Sequence, residues 1–247
     1  MTKFTICRTL TFYLLSIAAV GQTARKPAAK LAAVSGKLAA IRVTGTRRFT
    51  PAEVIAASGL EVGAVAGEDD FRKAAERLGA CGFFSDVSYS YSSVPTGTKL
   101  DVELTDSDKL VPAHFENFVW FSEDELLARI HERLPLFKGQ VPIGGTLADQ
   151  ISDVLQNLLV PVSLSARAEY VRESKEPGGP IDAINFRVTG VNLTIAEVNF
   201  QGAGAEDLPA LKAASEKLDG KDYSRSAVLG YATANLIPIY LARGFLK

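Results

Sequence analysis

The chain has 247 residues, a formal net charge of −1, 47% hydrophobic and 22% charged residues. That composition argues against a disordered chain, a collagen-like rod and a highly charged nucleic-acid tail, and the balance of 27 Lys+Arg against 28 Asp+Glu leaves no global charge to drive binding to nucleic acid or an anionic membrane. Two Cys and two His are too few for a structural zinc site, so no metal and no cofactor is expected.

The N-terminal stretch has the pattern of an export signal. Lys3 and Arg8 precede an apolar run from Leu10 to Val20, shorter than the roughly 20 residues a spanning helix needs. Ala19-Val20-Gly21 places small residues before a cut at Gln22. The expectation is a signal peptide over 1–21, with an uncleaved anchor as the alternative, and a flexible Ala/Lys-rich leader over 22–37. Cleavage removes Cys7 and leaves Cys81, at the end of an apolar helix pattern, as a buried core group rather than a reactive thiol. No later run has the length and apolarity to span a bilayer, so the exported chain is expected to be soluble.

Residues 38–106 form a first unit. Ile41 and Val43 alternate with polar neighbours, as in a half-buried strand, and Gly45 ends it. Thr50-Pro51-Ala52-Glu53 predicts a capped helix start, and Ser58-Gly59 its end. Phe71, Ala74, Ala75 and Leu78 share one face of a second helix, which Gly82 stops. Val87, Tyr89 and Tyr91, then Leu100, Val102 and Leu104, alternate across the turn at Pro95-Thr96-Gly97 and predict a hairpin.

The order repeats in 110–190. A strand is expected over Val111 to Phe118, a capped helix from Ser122 to Pro135, and a second helix from Leu147 to Pro161. A hairpin follows, with Val162 to Tyr170 and then Ile184, Phe186 and Val188. A third unit, 191–247, opens with a strand over Ala196 to Phe200. It continues with helices marked by Leu208, Leu211, Leu218 and by Val228, Tyr231, Ala232, Leu236. Pro238 is expected to kink or break the second. It ends without a hairpin, so the last module is expected to be incomplete. The fold class is therefore α+β: tandem two-layer modules of order β-α-α-β-β, each a three-stranded mixed sheet covered by two helices.

This arrangement resembles the POTRA (polypeptide-transport-associated) domain family of outer-membrane β-barrel assembly and two-partner secretion proteins. The residues that carry the resemblance are Ile41-Arg42-Val43-Thr44-Gly45, Leu60-Glu61-Val62-Gly63 and the passage from Phe71 through Gly82 and Phe84 to Val87. The second unit has Val160-Pro161-Val162 in place of Gly-Phe, and the third matches through Gly244-Phe245. Gly45 and Gly82 fit positions of positive φ or close chain approach, and the other signature residues fit packing roles.

The resemblance implies a periplasmic location facing the bacterial outer membrane and a binding or scaffolding role in barrel assembly or protein translocation. It implies unfolded outer-membrane proteins or partner subunits as partners, outer-membrane association through a barrel outside this chain, and no nucleic acid. It also places the first hairpin strand at the sheet edge. Candidate edge residues are Val87, Ser88, Tyr89, Ser90 and Tyr91, and Ser163, Leu164, Ser165, Ala166 and Arg167. An edge strand can accept another chain through its free backbone groups. The serines either leave space above the sheet or are simply solvated, and Arg167 and Glu169 could shield the second edge by charge. Phe118, Trp120 and Phe121 are a candidate partner surface, or packing between modules. A free-standing scaffold is the alternative. A hydrolase is the third reading, but neither His114 nor His131 has a catalytic partner nearby in sequence, so no enzyme activity is expected.

Overall fold

A computed structural model describes residues 36–242 and 244. The expected signal peptide, most of the expected leader, and Phe245 lie outside the described residues.

The first module runs β1 (Gly36–Thr44), α1 (Pro51–Ser58), β2 (Val65–Ala66), α2 (Glu68–Ala80), β3 (Phe84–Val94) and β4 (Gly97–Asp106). α1 starts where Thr50 Oγ1 accepts from the Glu53 N–H at 3.3 Å and Glu53 Oε2 accepts from the Thr50 N–H at 2.8 Å. This reciprocal cap satisfies two otherwise orphaned donors. α2 buries Phe71, Ala74 and Leu78 on one face. The sheet order is β2-β1-β4-β3, with β1 parallel to β4 and β3 antiparallel to it. Leu100, Val102 and Leu104 point from β4 into the core, while Ser88 and Ser90 of β3 are exposed on the opposite face.

The second module repeats this plan with β5 (Leu110–Phe115), α3 (Glu123–Arg133), β6 (Gln140–Pro142), α4 (Leu147–Leu159), β7 (Arg167–Glu173) and β8 (Ala183–Thr189). Its sheet order is β6-β5-β8-β7. Ile151, Leu155 and Leu159 of α4 and Ile184 and Phe186 of β8 are fully buried. Each such side chain contributes about 1.5–3 kcal/mol relative to exposure.

Three features differ from the sequence expectation. Each sheet has four strands, because the segment between the two helices adds a short strand, β2 or β6, antiparallel to the opening strand. These strands are only two and three residues long and show no periodicity. β2 also takes Gly36 and Lys37 out of the expected leader, since they pair with Ala66 and Val65. The second hairpin begins late: residues 161–166 form turns, and the strand opens at Arg167. The Val162 and Ser163 N–H groups both donate to Leu159 O at 2.9 Å, which winds the chain past the helix end instead of extending it.

The third difference lies after β8. Ala196 to Phe200 forms no ladder among the described residues. Instead Leu193 and Ile195 pair with Lys221 and Tyr223 through backbone bonds of 2.7–2.9 Å, around the bridge Thr194–Asp222. The opening segment of the unit thus meets its interhelix segment, as β1 meets β2 and β5 meets β6. The helices are α5 (Leu208–Ser215), α6 (Arg225–Tyr231) and α7 (Ile237–Leu241). α6 passes into α7 through a five-residue π turn, Ala232–Leu236, so the helical path departs from α geometry just before Pro238 but does not break there. A π turn absorbs the missing proline N–H by changing the bonding partner locally.

Candidate functional site

The core is continuous from Leu38 of β1 to Val188 of β8, so the first two modules share one apolar interior. Their seam is built on glycines. Gly82 has φ 85°, and a Cβ there would stand 2.3 Å from Gly144 O. Gly145 has φ 87°, and its Cβ would stand 2.7 Å from Ala80 O. The two backbones meet closely enough that the Thr146 N–H donates to Ala80 O at 2.9 Å, and the Thr146 hydroxyl adds a bond of 3.1 Å. Lys138 crosses the seam to Glu53 Oε1 at 2.8 Å and lies 5.3 Å from the centroid of the Phe49 ring. The Lys138 ammonium, with the Thr50 backbone N–H, lowers the Glu53 pKa. Burial raises the pKa of the Cys81 thiol, whose Sγ lies 2.9 Å from Leu78 O.

The candidate edge residues Val87 to Tyr91 all lie on β3, an outer strand of the first sheet. β3 is eleven residues long and carries no Lys, Arg or Pro. Its only charged residue is Asp86, near the start. Val87, Tyr89 and Tyr91 turn inward, with Tyr91 5.4 Å from the Phe71 ring and its hydroxyl donating to Glu68 at 3.2 Å. Among the described residues, no side chain hydrogen-bonds the backbone of Ser88 to Val94. Opposite-sign charges sit one and two strands away, where Lys99 meets Asp101 at 3.1 Å and Arg42 meets it at 3.9 Å.

The second candidate edge is different. Ser163, Leu164, Ser165 and Ala166 precede β7 and are in turns; only Arg167 is on the strand. Ala166 is fully buried. The outward backbone groups at the start of β7 are already taken. The Ala168 N–H donates to Gln156 Oε1 at 3.0 Å, the Gln156 amide donates to Ala166 O at 3.1 Å, and the Ser152 hydroxyl donates to Ala168 O at 2.9 Å. Shielding here comes from amide and hydroxyl groups of α4, which the sequence reading did not identify. Arg187 lies 3.8 Å from Glu169 on the same sheet face.

The aromatic group is also redistributed. Phe118 is buried and packs edge-on against Phe115 at 6.1 Å, and Phe121 is half-buried against the core. Their apolar rings complete the second core, which corrects their assignment to an outer surface. Trp120 is 37% exposed beside Val119. The loop that carries them is fixed by Asn117, whose amide donates to Val188 O at 3.0 Å and accepts from the Val188 N–H at 2.6 Å. Asn117 thereby imitates one more strand residue, a role invisible to hydrophobic patterning. His131 Nδ1 lies 3.1 Å from Phe137 O, at the end of its helix. Among the described residues no three His, Cys, Asp or Glu side chains are placed to hold a metal ion, and no helix is long and apolar enough to cross a membrane.

The fold is thus α+β, with two successive modules that each run strand, helix, short strand, helix and hairpin. The chain is similar to POTRA1-2 of the periplasmic domain of Omp85 from Anabaena, at 12% identity and TM-score 0.31 over 65% of this chain and 98% of that one. It is similar to POTRA3-5 of BamA from Haemophilus influenzae, at 14% identity and TM-score 0.30 over 83% and 86%. A third similar structure is CdiB from Escherichia coli, at 10% identity and TM-score 0.23 over 69% and 30%. No family model matches, and no curated protein matches.

Proposed function

We propose that this chain is a periplasmic binding and scaffolding protein region for outer-membrane protein assembly or transport, and that it takes extended clients or partner segments by strand addition at β3. The observation that carries the reading is the eleven-residue outer strand Phe84–Val94, paired on one side with β4 and free of Lys, Arg and Pro. Natural sheets usually blunt such an edge. The other hairpin edge is partly closed by Gln156 and Ser152, which favours β3 over β7. The resemblance carried by Ile41 to Gly45 and Phe71 to Val87 supports the periplasmic setting. Main-chain pairing gives affinity with little demand on client sequence, which suits a scaffold rather than an enzyme.

Adjacent positions on an antiparallel strand point their N–H groups alternately toward and away from the partner strand. Proline at Ser88 and at Tyr89 therefore removes one inward and one outward donor. The test is binding of an unfolded barrel-strand peptide by fluorescence anisotropy, with circular dichroism to establish folding. The variant that loses the outward N–H is expected to fold and to bind at least tenfold more weakly, while Ser88→Ala and Ser90→Ala bind as the parent does. Salt dependence should be weak, since the pairing is not ionic. Unchanged binding by both folded proline variants would show that β3 is not the site.

A further inference from the structure

We propose that the cleft at the seam of the first two modules binds a small apolar carboxylate. The cleft has a volume of about 350 Å³ and lies between α1, α2, the end of α3 and the start of α4. That is the size range of small-ligand pockets, which occur preferentially at domain junctions. Its walls include Leu78, Phe83, Leu136 and Leu147, with Arg77 and Arg133 as the charged groups and no carboxylate. Guanidinium groups above an apolar floor match a ligand with an anionic head and a hydrocarbon or aryl body.

The two arginines have different duties. Arg77 Nη1 donates to Ser58 O at 2.9 Å, closing the end of α1, and its guanidinium makes no ion pair among the described residues. Arg133 is exposed in the last turn of α3 and makes no ion pair among the described residues. A small molecule suits this cleft better than an extended peptide. Much of the surrounding backbone is helical, and the Leu134 N–H is bonded to Ile130 O at 2.8 Å and the Phe137 N–H to Leu134 O at 2.9 Å. Among the described residues, none that line the cleft belongs to a strand, so the walls offer no ladder for a peptide main chain to extend.

The probe is decanoate below its micelle-forming concentration, titrated into ¹⁵N-labelled protein, with decanol and acetate as the neutral and the short counterparts. Decanoate is expected to shift the amides of Ala56, Leu134, Leu136 and Leu147 saturably. Decanol and Arg133→Gln should each weaken binding about tenfold, the scale of one charge-assisted hydrogen bond. Acetate should shift nothing saturably. Ala56→Trp, at an exposed position on the rim, should abolish binding by filling the space. If that variant does not fold, Arg133→Gln and decanol decide the matter. No saturable shift, shifts spread over the whole molecule, or equal affinity for decanol and decanoate with no effect of Arg133→Gln would each overturn the proposal. So would tighter binding of an acidic peptide than of decanoate at the same amides.

Discussion

At the scale of residues, the seam depends on two glycines that face one another. Gly82 requires glycine twice: its φ of 85° is strained for any other residue, and a Cβ would strike Gly144 O. Gly139, with φ 84° and nothing within 4 Å of its missing Cβ, requires glycine only for its backbone. Gly139→Ala should therefore cost about 1 kcal/mol, the strain alone. Gly82→Ala should cost about 3 kcal/mol or more, because the backbones must also separate. Urea unfolding of the two variants measures the difference directly. Equal losses would show that the close approach to Gly144 contributes nothing. Gly82 marks a helix end in the sequence, and α2 stops at Ala80. Its partner is not legible there, because Gly144 is about sixty residues away in the chain and no local pattern links the two.

At the scale of elements, strands and helices with a buried face were legible, and polar connections were not. Phe71, Ala74 and Leu78 of α2 and Leu100, Val102 and Leu104 of β4 fall where helical and strand periodicities put them. The alternation of Val162 to Tyr170 misled for its first five residues, because serine and alanine in alternation fit a turn as well as a strand. The competing bonds decided it. Gln156 holds Ala166 O and the Ala168 N–H from the flanking helix, so the chain turns until Arg167 and only then pairs with β8. Gln156→Ala removes both bonds and should destabilise the second module by about 1–2 kcal/mol. Hydrogen exchange at the Ala168 amide should accelerate, while that in α2 stays as in the parent. An unchanged Ala168 exchange rate would show that the edge is covered by something other than Gln156.

At the scale of the whole molecule, the three repeats are unequally supported. The first two share one core. The third buries Leu211 and Leu218 but leaves Leu229 58%, Ile237 41% and Leu241 53% exposed on its helices. It is tied to the second module by polar contacts. The Arg225 N–H donates to Glu116 O at 3.1 Å, the Ser226 N–H to Glu116 Oε2 at 2.9 Å, and the Arg225 guanidinium pairs with Glu123. Exposed ion pairs of this kind contribute little. Amides of α5, α6 and α7 should therefore exchange faster than those of α2 and α4 under native conditions. Uniform protection through Leu241 would show that the third unit is as stable as the first two.

The sequence by itself determined the order of opening strand, two helices and hairpin in the first two modules, the capping boxes at Thr50 and Ser122, and the buried faces of α2, α4 and β4. These are local consequences of side-chain periodicity and of short-range hydrogen bonding, so they can be read without knowing any distant neighbour. Tertiary structure alone decided the short strands β2 and β6, the glycine seam, the pairing of Asn117 with Val188 and the covering of the start of β7 by Gln156 and Ser152. Each of those depends on backbone donors and acceptors finding partners far along the chain. The backbone carries the same groups at nearly every residue, so composition and periodicity do not record which ones meet.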